Sequence, residues 1–489
     1  MEGGQRFSQF KILPSIKNMT TITLPSERLT YLENFGHSLR AASYLYKPTN
    51  AEEISDLFKF AKQSGLKVTL RGAGRSYNDA ALNSSGIVMD LTGMNKILAW
   101  NPETGIITAE PGVTLEKLWQ TVLPDGWWPP VVSGTMTTTL GGCLGMNIHG
   151  KNNFRMGPIG EHVQEFIALL PTGAELTCSP TKNGDLFYAM ISGMGMLGVF
   201  TSITLKMKKM YSGLLQVNAV PVTNLKMHLQ AIEDEAPKYD YTVGWLDATA
   251  GGSGLGRGQL HLANYLHEGE DPDPKKTMQV AYQTLPATMF GVFPKSSIHY
   301  FMTPFRIMPL WAMVNTAKYV ASLRKGTYRQ SHGAFHFLLD YVPKWDLAYG
   351  KGGLIQYQSF LPKETALDAW TELLKLSLKS GMPSYLGVTK RHRPDKFLLS
   401  HAVDGFSLAL DFRVTNGSRA PMHSMLQEFD KIVTEAGGRF YFAKNSETTP
   451  ETALKFLGAE TVARFKALKA RTDPNNLLES DLYRRVFEG

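Results

Sequence analysis

Cysteine is nearly missing from the 489-residue chain, with Cys143 and Cys178 its only two. Two thiols build neither a disulfide framework nor a Cys-rich metal site, which fits a reducing compartment and predicts no metal. Long hydrophobic runs are missing as well, since no stretch nears the roughly 20 apolar residues that cross a bilayer. The start, MEGGQRFSQFKILPSIKNM, carries charges where a secretory signal keeps an apolar core. A cytoplasmic protein is expected, soluble or peripheral on the inner face of the membrane. No nucleic-acid motif accompanies the formal charge of +8, so a nucleic-acid partner is not expected. A chain of this length calls for about two domains.

Glycine is plentiful and clustered. The stretch from Val131 to Asn153, VVSGTMTTTLGGCLGMNIHGKNN, combines Gly134, Gly141, Gly142, Gly145 and Gly150 with four threonine hydroxyls. Glycines let backbone N–H groups approach an anion closely, and hydroxyls add donors, a chemistry that suits a pyrophosphate. The stretch ends in the polar cluster Asn147, His149, Gly150, Lys151 and Asn152. Alone, it is equally compatible with a turn between strands. Two further glycine loops, Gly72-Ala73-Gly74-Arg75-Ser76-Tyr77 and Gly193-Met194-Gly195-Met196-Leu197-Gly198, also adjoin strand-like segments. Three such loops make one cofactor cradle a better account than three separate turns. The first loop is not a dinucleotide fingerprint, because its third glycine is missing and NDAALNSSG is too short for a crossover helix.

Between the loops, a capping box at Thr49-Asn50-Ala51-Glu52 opens a helix with Ile54, Leu57, Phe58 and Ala61 on one face. KVTLR, GIVMDL, ILAW and GIITAEPG read as strands, and a helix from Thr114 places Leu115, Leu118, Trp119 and Val122 on its apolar face. HVQEFIALL and AELT around Pro171-Thr172-Gly173 read as a hairpin. From about Tyr211 longer alternating segments (TVGWLDA, LIQYQSFL, FSLALDF) indicate a mostly antiparallel sheet with helices on one side. Gln356 and Gln358 alternate on one strand and share a face, with Tyr357 on the other. Residues 274–339 hold eight Lys and Arg and no Asp or Glu, interleaved with Met, Phe, Tyr and Trp. That run is either a solvated basic face or a flap for a lipid chain or anionic membrane surface. Lys444 follows Tyr441 by three in a strand-like segment; it is either a solvated edge charge or a cation facing a cofactor or phosphate.

GAGRSYNDAALN, SGTMTTTLGGCLGMNIHGKNN, GMGMLGVFTSITLKM, LIQYQSFLP, FYFAKNSE and SDLYRRV occur in that order. Together they resemble the FAD-linked oxidases of the vanillyl-alcohol oxidase (PCMH-type) superfamily, and within it the decaprenylphosphoryl-ribose oxidase branch. The resemblance covers nearly the whole chain from about residue 35. It implies an α+β fold with a two-subdomain PCMH-type FAD-binding domain (1–210) and a substrate-binding cap with a mostly antiparallel sheet flanked by helices (211–436). A C-terminal segment (437–489) would return to the FAD-binding domain. Carried over by residue, Gly72, Ala73, Gly74, Arg75, Ser76 and Tyr77 would wrap the FAD pyrophosphate and reach towards the ring. Gly134, Thr135, Thr139, Gly141, Gly142, Met146, Asn147, His149 and Gly150 would do so from the other side, and Gly193, Gly198 and Val199 would close the adenine and ribitol end. Arg75 stands where some members attach FAD to a histidine, so non-covalent FAD is expected.

The activity implied is oxidation of a secondary sugar alcohol to a ketone by hydride transfer to flavin N5, in cell-wall biosynthesis. Its active-site pattern maps onto His149, Tyr77, Gln356, Gln358, Lys390, Tyr441 and Lys444. Lys444 is the expected flavin or phosphate partner; the base stays open among Lys444, His149 and Tyr77. Where relatives carry an asparagine and a cysteine beside the flavin, this chain has Ser407 and Ala409, which leaves substrate identity open. The substrate is thus a lipid-linked or a free sugar, with a short-chain reductase as a further partner. Three other readings stay in play: an aldonolactone or alditol oxidase, a flavin-dependent C=C reductase, and a flavin-binding subunit of an epimerase complex.

Overall fold

The helix Ala51–Ser64 shows how local chemistry builds the frame. Asn50 accepts the Glu53 N–H, and the Glu53 carboxylate accepts Thr49 N–H (2.8 Å) and Oγ1 (3.0 Å). The box therefore closes on Glu53, one residue beyond the expected Glu52. Ile54, Leu57, Phe58 and Ala61 are buried, as the periodicity predicts, and Gly65 ends the helix at φ 68°. The computed structural model describes residues 25–289, 291–324 and 326–488. The N-terminal stretch on which the reading of a non-secretory start rests lies outside them, as do Phe290 and Lys325 of the basic run.

The fold is α+β in two parts. In the first, a four-stranded sheet runs Leu29–Glu33, Arg40–Tyr46, Ile87–Asp90, Val68–Arg71, antiparallel between the first two and parallel thereafter. A five-stranded antiparallel sheet runs Ile97–Asn101, Ile106–Ala109, Val199–Lys206, Val163–Leu169, Glu175–Cys178; its last two strands are the expected hairpin. The helix Leu115–Val122, capped by Thr114, buries Leu115, Leu118, Trp119 and Val122 as expected. Residues 477–479 return to the first sheet, where Leu477 and Glu479 bond with the backbone of Val68.

The second part is an eight-stranded antiparallel sheet. Its strand Leu354–Pro362 is buried along both faces except at Pro362, and alternation divides the side chains. Tyr357 donates to Asp430 (3.0 Å) on the helix Arg419–Glu435, and Ser359 accepts from Trp370 Nε1 (3.0 Å) on the helix Ala366–Lys379. Helices thus cover the odd-numbered face. Gln356 and Gln358 turn to the opposite face, which looks towards the glycine loops.

The basic run leaves this sheet and crosses to the first part. His37, left-handed at φ 56°, sits between Glu33 (2.8 Å) and Asp346 (2.7 Å). The Asp346 bond, against burial, raises its pKa to about 9. A raised pKa contributes stability that is complete below the ordinary value near 6.5 and is lost as pH rises through about 9. Protection of residues 326–350 from limited proteolysis should accordingly be greatest below about pH 6.5, decline as pH rises from there and level off above about 9. In His37→Ala that decline should be gone, and a persisting one would place the sensitive group elsewhere.

Candidate active site

A cavity of ≈ 580 Å³ lies between the two parts, within the range of about 300–1,000 Å³ usual for small-molecule sites. Residues from all three glycine loops line it, including Gly72 to Tyr77, Gly134, Thr135, Thr139, Gly141, Gly142, Met146, His149 and Gly150, then Met194 and Gly195. Four expected residues stand off its wall. Asn147, left-handed at φ 45° and fully buried, uses Oδ1 to accept the Gly160 N–H (3.0 Å), while its Nδ2 has no hydrogen-bond partner. Gly193 packs under Ala189, and Gly198 and Val199 belong to the start of the strand Val199–Lys206; Met194, Gly195 and Phe200 line the cavity instead. Val131–Asn153 is also not all loop, since Leu140–Gly145 forms a helix opened by Thr139.

The loops fit each other tightly. A Cβ on Gly72 would lie 2.0 Å from Thr139 Oγ1, so glycine lets the first loop meet the second with that hydroxyl in place. Gly74 takes φ 64°, where a side chain is disfavoured. Arg75 Nε and the Tyr77 hydroxyl are buried without a hydrogen-bond partner. Such atoms are costly unless a ligand meets them. Arg71, Arg75, Lys151, Lys318, Lys390 and Lys444 line the cavity, and among the described residues no Asp or Glu does. These walls suit a large anionic group such as FAD.

All seven expected catalytic side chains reach this cavity. Lys444 lies in a turn, not in the strand expected: the strand is only Arg439–Phe440, and Lys444 N–H bonds to Tyr441 O (2.9 Å). The turn is tied on two sides. Tyr77 N–H donates to Ala443 O (2.8 Å), and the Asn445 carboxamide accepts Gln358 N–H (2.7 Å). Lys444 Nζ stands 3.8 Å over the Tyr77 ring. Burial lowers its pKa to about 7, with Asp411 opposing and Lys390 assisting.

His149 lies between Gln358 and Lys390. Gln358 Nε2 is 3.2 Å from Nε2, and Lys390 Nζ is 3.5 Å from Nδ1. Burial, then Lys390 and the neighbouring His392 and His401, keeps the imidazole neutral, its pKa well below 6.5. Burial also brings Lys390 to about 8. A neutral Lys390 accepts Nδ1–H, leaving the Nε2 lone pair to Gln358; a protonated Lys390 donates to Nδ1 and Nε2 carries the hydrogen. In the second form the Gln358 amide must turn its oxygen towards Nε2. Behind His149, His392 meets the Phe360 ring edge-on and His401 packs at a tilt against Tyr441.

Sequence reasoning missed Asp411. Ala409, on the same strand, pairs with Gln358, and Asp411 pairs with Gln356 and accepts its Nε2–H (2.5 Å) and the Tyr349 hydroxyl (3.2 Å). A carboxylate only accepts, so the Gln356 amide must turn its nitrogen to Asp411. Alternation along FSLALDF already placed Asp411 beside Ala409 on one face. Ser407 instead bonds His392 Nε2 (2.8 Å). Trp245, His261 and Lys318 also line the cavity and were not foreseen, because only the sheet register and the crossing segment bring them there.

Fold and site together define an FAD-dependent oxidoreductase. The family pattern described as FAD binding domain matches residues 42–179, and that of D-arabinono-1,4-lactone oxidase matches 362–486. Decaprenylphosphoryl-β-D-ribose oxidase of Mycolicibacterium smegmatis is 31% identical over 437 residues, covering 87% of this chain and 90% of that protein. The chain belongs to the family of FAD-linked sugar and lactone oxidases that includes that enzyme. L-gulonolactone oxidase of Bos taurus is 27% identical over 40% of this chain and 43% of its own length. A putative D-arabinono-1,4-lactone oxidase of Neurospora crassa is 29% identical over 33% of this chain and 28% of its own.

Proposed function

We propose that this protein oxidises a secondary hydroxyl of a glycoside carried on a polyprenyl phosphate, a pentose or a similar sugar, to the ketone. The observation that carries this reading is the acid-free cavity wall with four lysines beyond Arg71 and Arg75. A basic, acid-free wall of this kind suits an anionic group on the substrate, such as a phosphate, beside the cofactor's own pyrophosphate. FAD, held by the 72–77 and 134–150 loops, supplies the hydride acceptor.

The chain's own groups handle the proton and the charge. The substrate hydroxyl proton passes to His149 Nε2 as the Gln358 amide turns aside from that lone pair, while Nδ1–H moves to Lys390 Nζ, so the proton ends on an amine with a pKa of about 8. Asp411 fixes the Gln356 amide with its oxygen free to accept a sugar hydroxyl. Lys444 places positive charge beside Tyr77. The basic run bears exposed Val292, Phe293, Tyr300, Phe301, Ile307 and Met313, a surface suited to a lipid tail and an anionic bilayer face. No helix among the described residues is long and apolar enough to cross a membrane.

Anaerobic mixing tests the reading. A polyprenyl-phosphate pentose should bleach the flavin while free alditols and aldonolactones do not. The reverse would establish the lactone or alditol oxidase, which the match at 362–486 favours as second reading. Bleaching by NADPH alone would indicate the C=C reductase. No bleaching by any candidate, with stable co-purification of a short-chain reductase, would indicate the subunit role.

A further inference from the structure

The acid-free run ends at Asp340, and that carboxylate does not face solvent alone. Its Oδ1 accepts Thr135 Oγ1–H (2.8 Å) and its Oδ2 accepts Met136 N–H (2.6 Å), both from the second glycine loop. One residue earlier, Leu339 N–H donates to Gly134 O (3.1 Å), and a Cβ on Gly134 would meet the Leu339 side chain at 3.3 Å. His336, Leu338 and Leu339 all line the cavity. The segment 336–340 is therefore a piece of the cavity wall contributed by the second half of the protein and fastened to the cofactor loop of the first.

Its other attachments lie elsewhere. Upstream, Gln283 accepts Gly333 N–H (2.9 Å) and donates to Gly213 O and Thr277 O (2.8 Å each), tying the run to its own half. Downstream, Asp346 holds His37, and Trp345 meets Phe35 edge-on at 5.9 Å. Between these anchors, the Asp340 bonds and the Leu339 backbone bond join the wall segment to the loop at 134–136. A carboxylate that accepts two donors at once makes charge-assisted bonds stronger than neutral ones. Releasing this wall from the loop requires those bonds to break, together with the buried ring contacts of His336 and Phe337 with Trp128.

We propose that Asp340 is a positioning residue that governs FAD retention, by clasping the wall segment 336–340 to the Thr135–Met136 backbone. The clasp must open for FAD to leave, and the cofactor loop is held in its FAD-ready shape while the clasp is closed. The proposal rests on assignment of the 134–142 loop to FAD.

The test is the FAD release rate of the holoenzyme, followed by recovery of flavin fluorescence after dilution, with iodide quenching of bound flavin as a second readout. In Asp340→Asn the amide nitrogen faces a donor, so one bond is lost. FAD release should accelerate about tenfold or more, with stronger quenching. Thr135→Val should act in the same direction, and Thr135→Ser, which keeps the hydroxyl, should restore slow release. Gly142→Leu, which pushes a side chain into the cavity, separates the two levels: full FAD occupancy there overturns the loop assignment itself. Loss of FAD in Gly142→Leu with unchanged release in Asp340→Asn overturns the clasp alone. Should Asp340→Asn not fold, hydrogen exchange of the wild-type holoenzyme decides, because one clasp requires the Met136 and Leu339 amides to share one protection factor once their intrinsic rates are divided out. Different protection factors would overturn the proposal.

Discussion

Lys444→Ala is expected to keep FAD bound and to slow anaerobic flavin reduction by about tenfold or more, the scale on which a lost electrostatic partner acts. Lys444 is the cation closest to Tyr77, at 3.8 Å from the ring, and its turn bonds to the first glycine loop and to the strand bearing Gln358. Position is therefore fixed by backbone, and removing the side chain takes away charge without moving the frame. The pH profile is a second readout. With a pKa lowered to about 7 by burial, the ammonium is present below that value and is lost as pH rises through it. The wild-type rate should carry a limb that falls with rising pH near 7, and Lys444→Ala should lack it. A variant with wild-type rate and profile would show Lys444 to be a bystander.

Gly72→Ala is expected to yield colourless protein that does not take up added FAD. The added Cβ would sit 2.0 Å from Thr139 Oγ1 and 3.3 Å from its Cβ, and Thr139 opens the short helix Leu140–Gly145, so relief requires the Thr139 side chain to rotate out of its place or the two loops to part. The double variant Gly72→Ala with Thr139→Ala removes the clashing oxygen and should recover part of the FAD binding, measured by the visible absorption of the purified protein. Full FAD content in Gly72→Ala would mean that the cofactor is held without the Thr139 hydroxyl in its place or without the two loops meeting.

Much of the site was legible from local pattern. Glycine clusters mark backbone that approaches a ligand or another loop, so Gly72 to Tyr77 and Gly134 to Gly150 pointed to the cavity they line. Strand alternation put Gln356 and Gln358 on one face and Tyr357 on the other, as their partners Asp411 and Asp430 show. Asn147, Gly193, Gly198 and Val199 stand off the cavity wall, because a glycine-rich or polar position within a ligand loop serves the loop's own packing as readily as the ligand. Asn147 at φ 45° bonding Gly160 is such a case. Lys444 read as strand because FYFAK carries strand-forming residues, whereas its backbone is claimed by Tyr441 and Ala443 in a turn.

The sequence by itself determined the family, the cofactor and the faces of the strands, because these follow from glycine placement, motif order and a side-chain period of two. Tertiary structure decided what no local pattern encodes. It joined Lys390 to His149 across 241 positions and Gln358 to His149 across 209, and it lowered lysine pKa values by burial among like charges. It also turned Asp340, the first acid after a long basic run, from an ordinary surface residue into a bond between the two halves of the cavity. Contacts of that separation depend on how sheets and loops pack, and packing is a property of the whole chain.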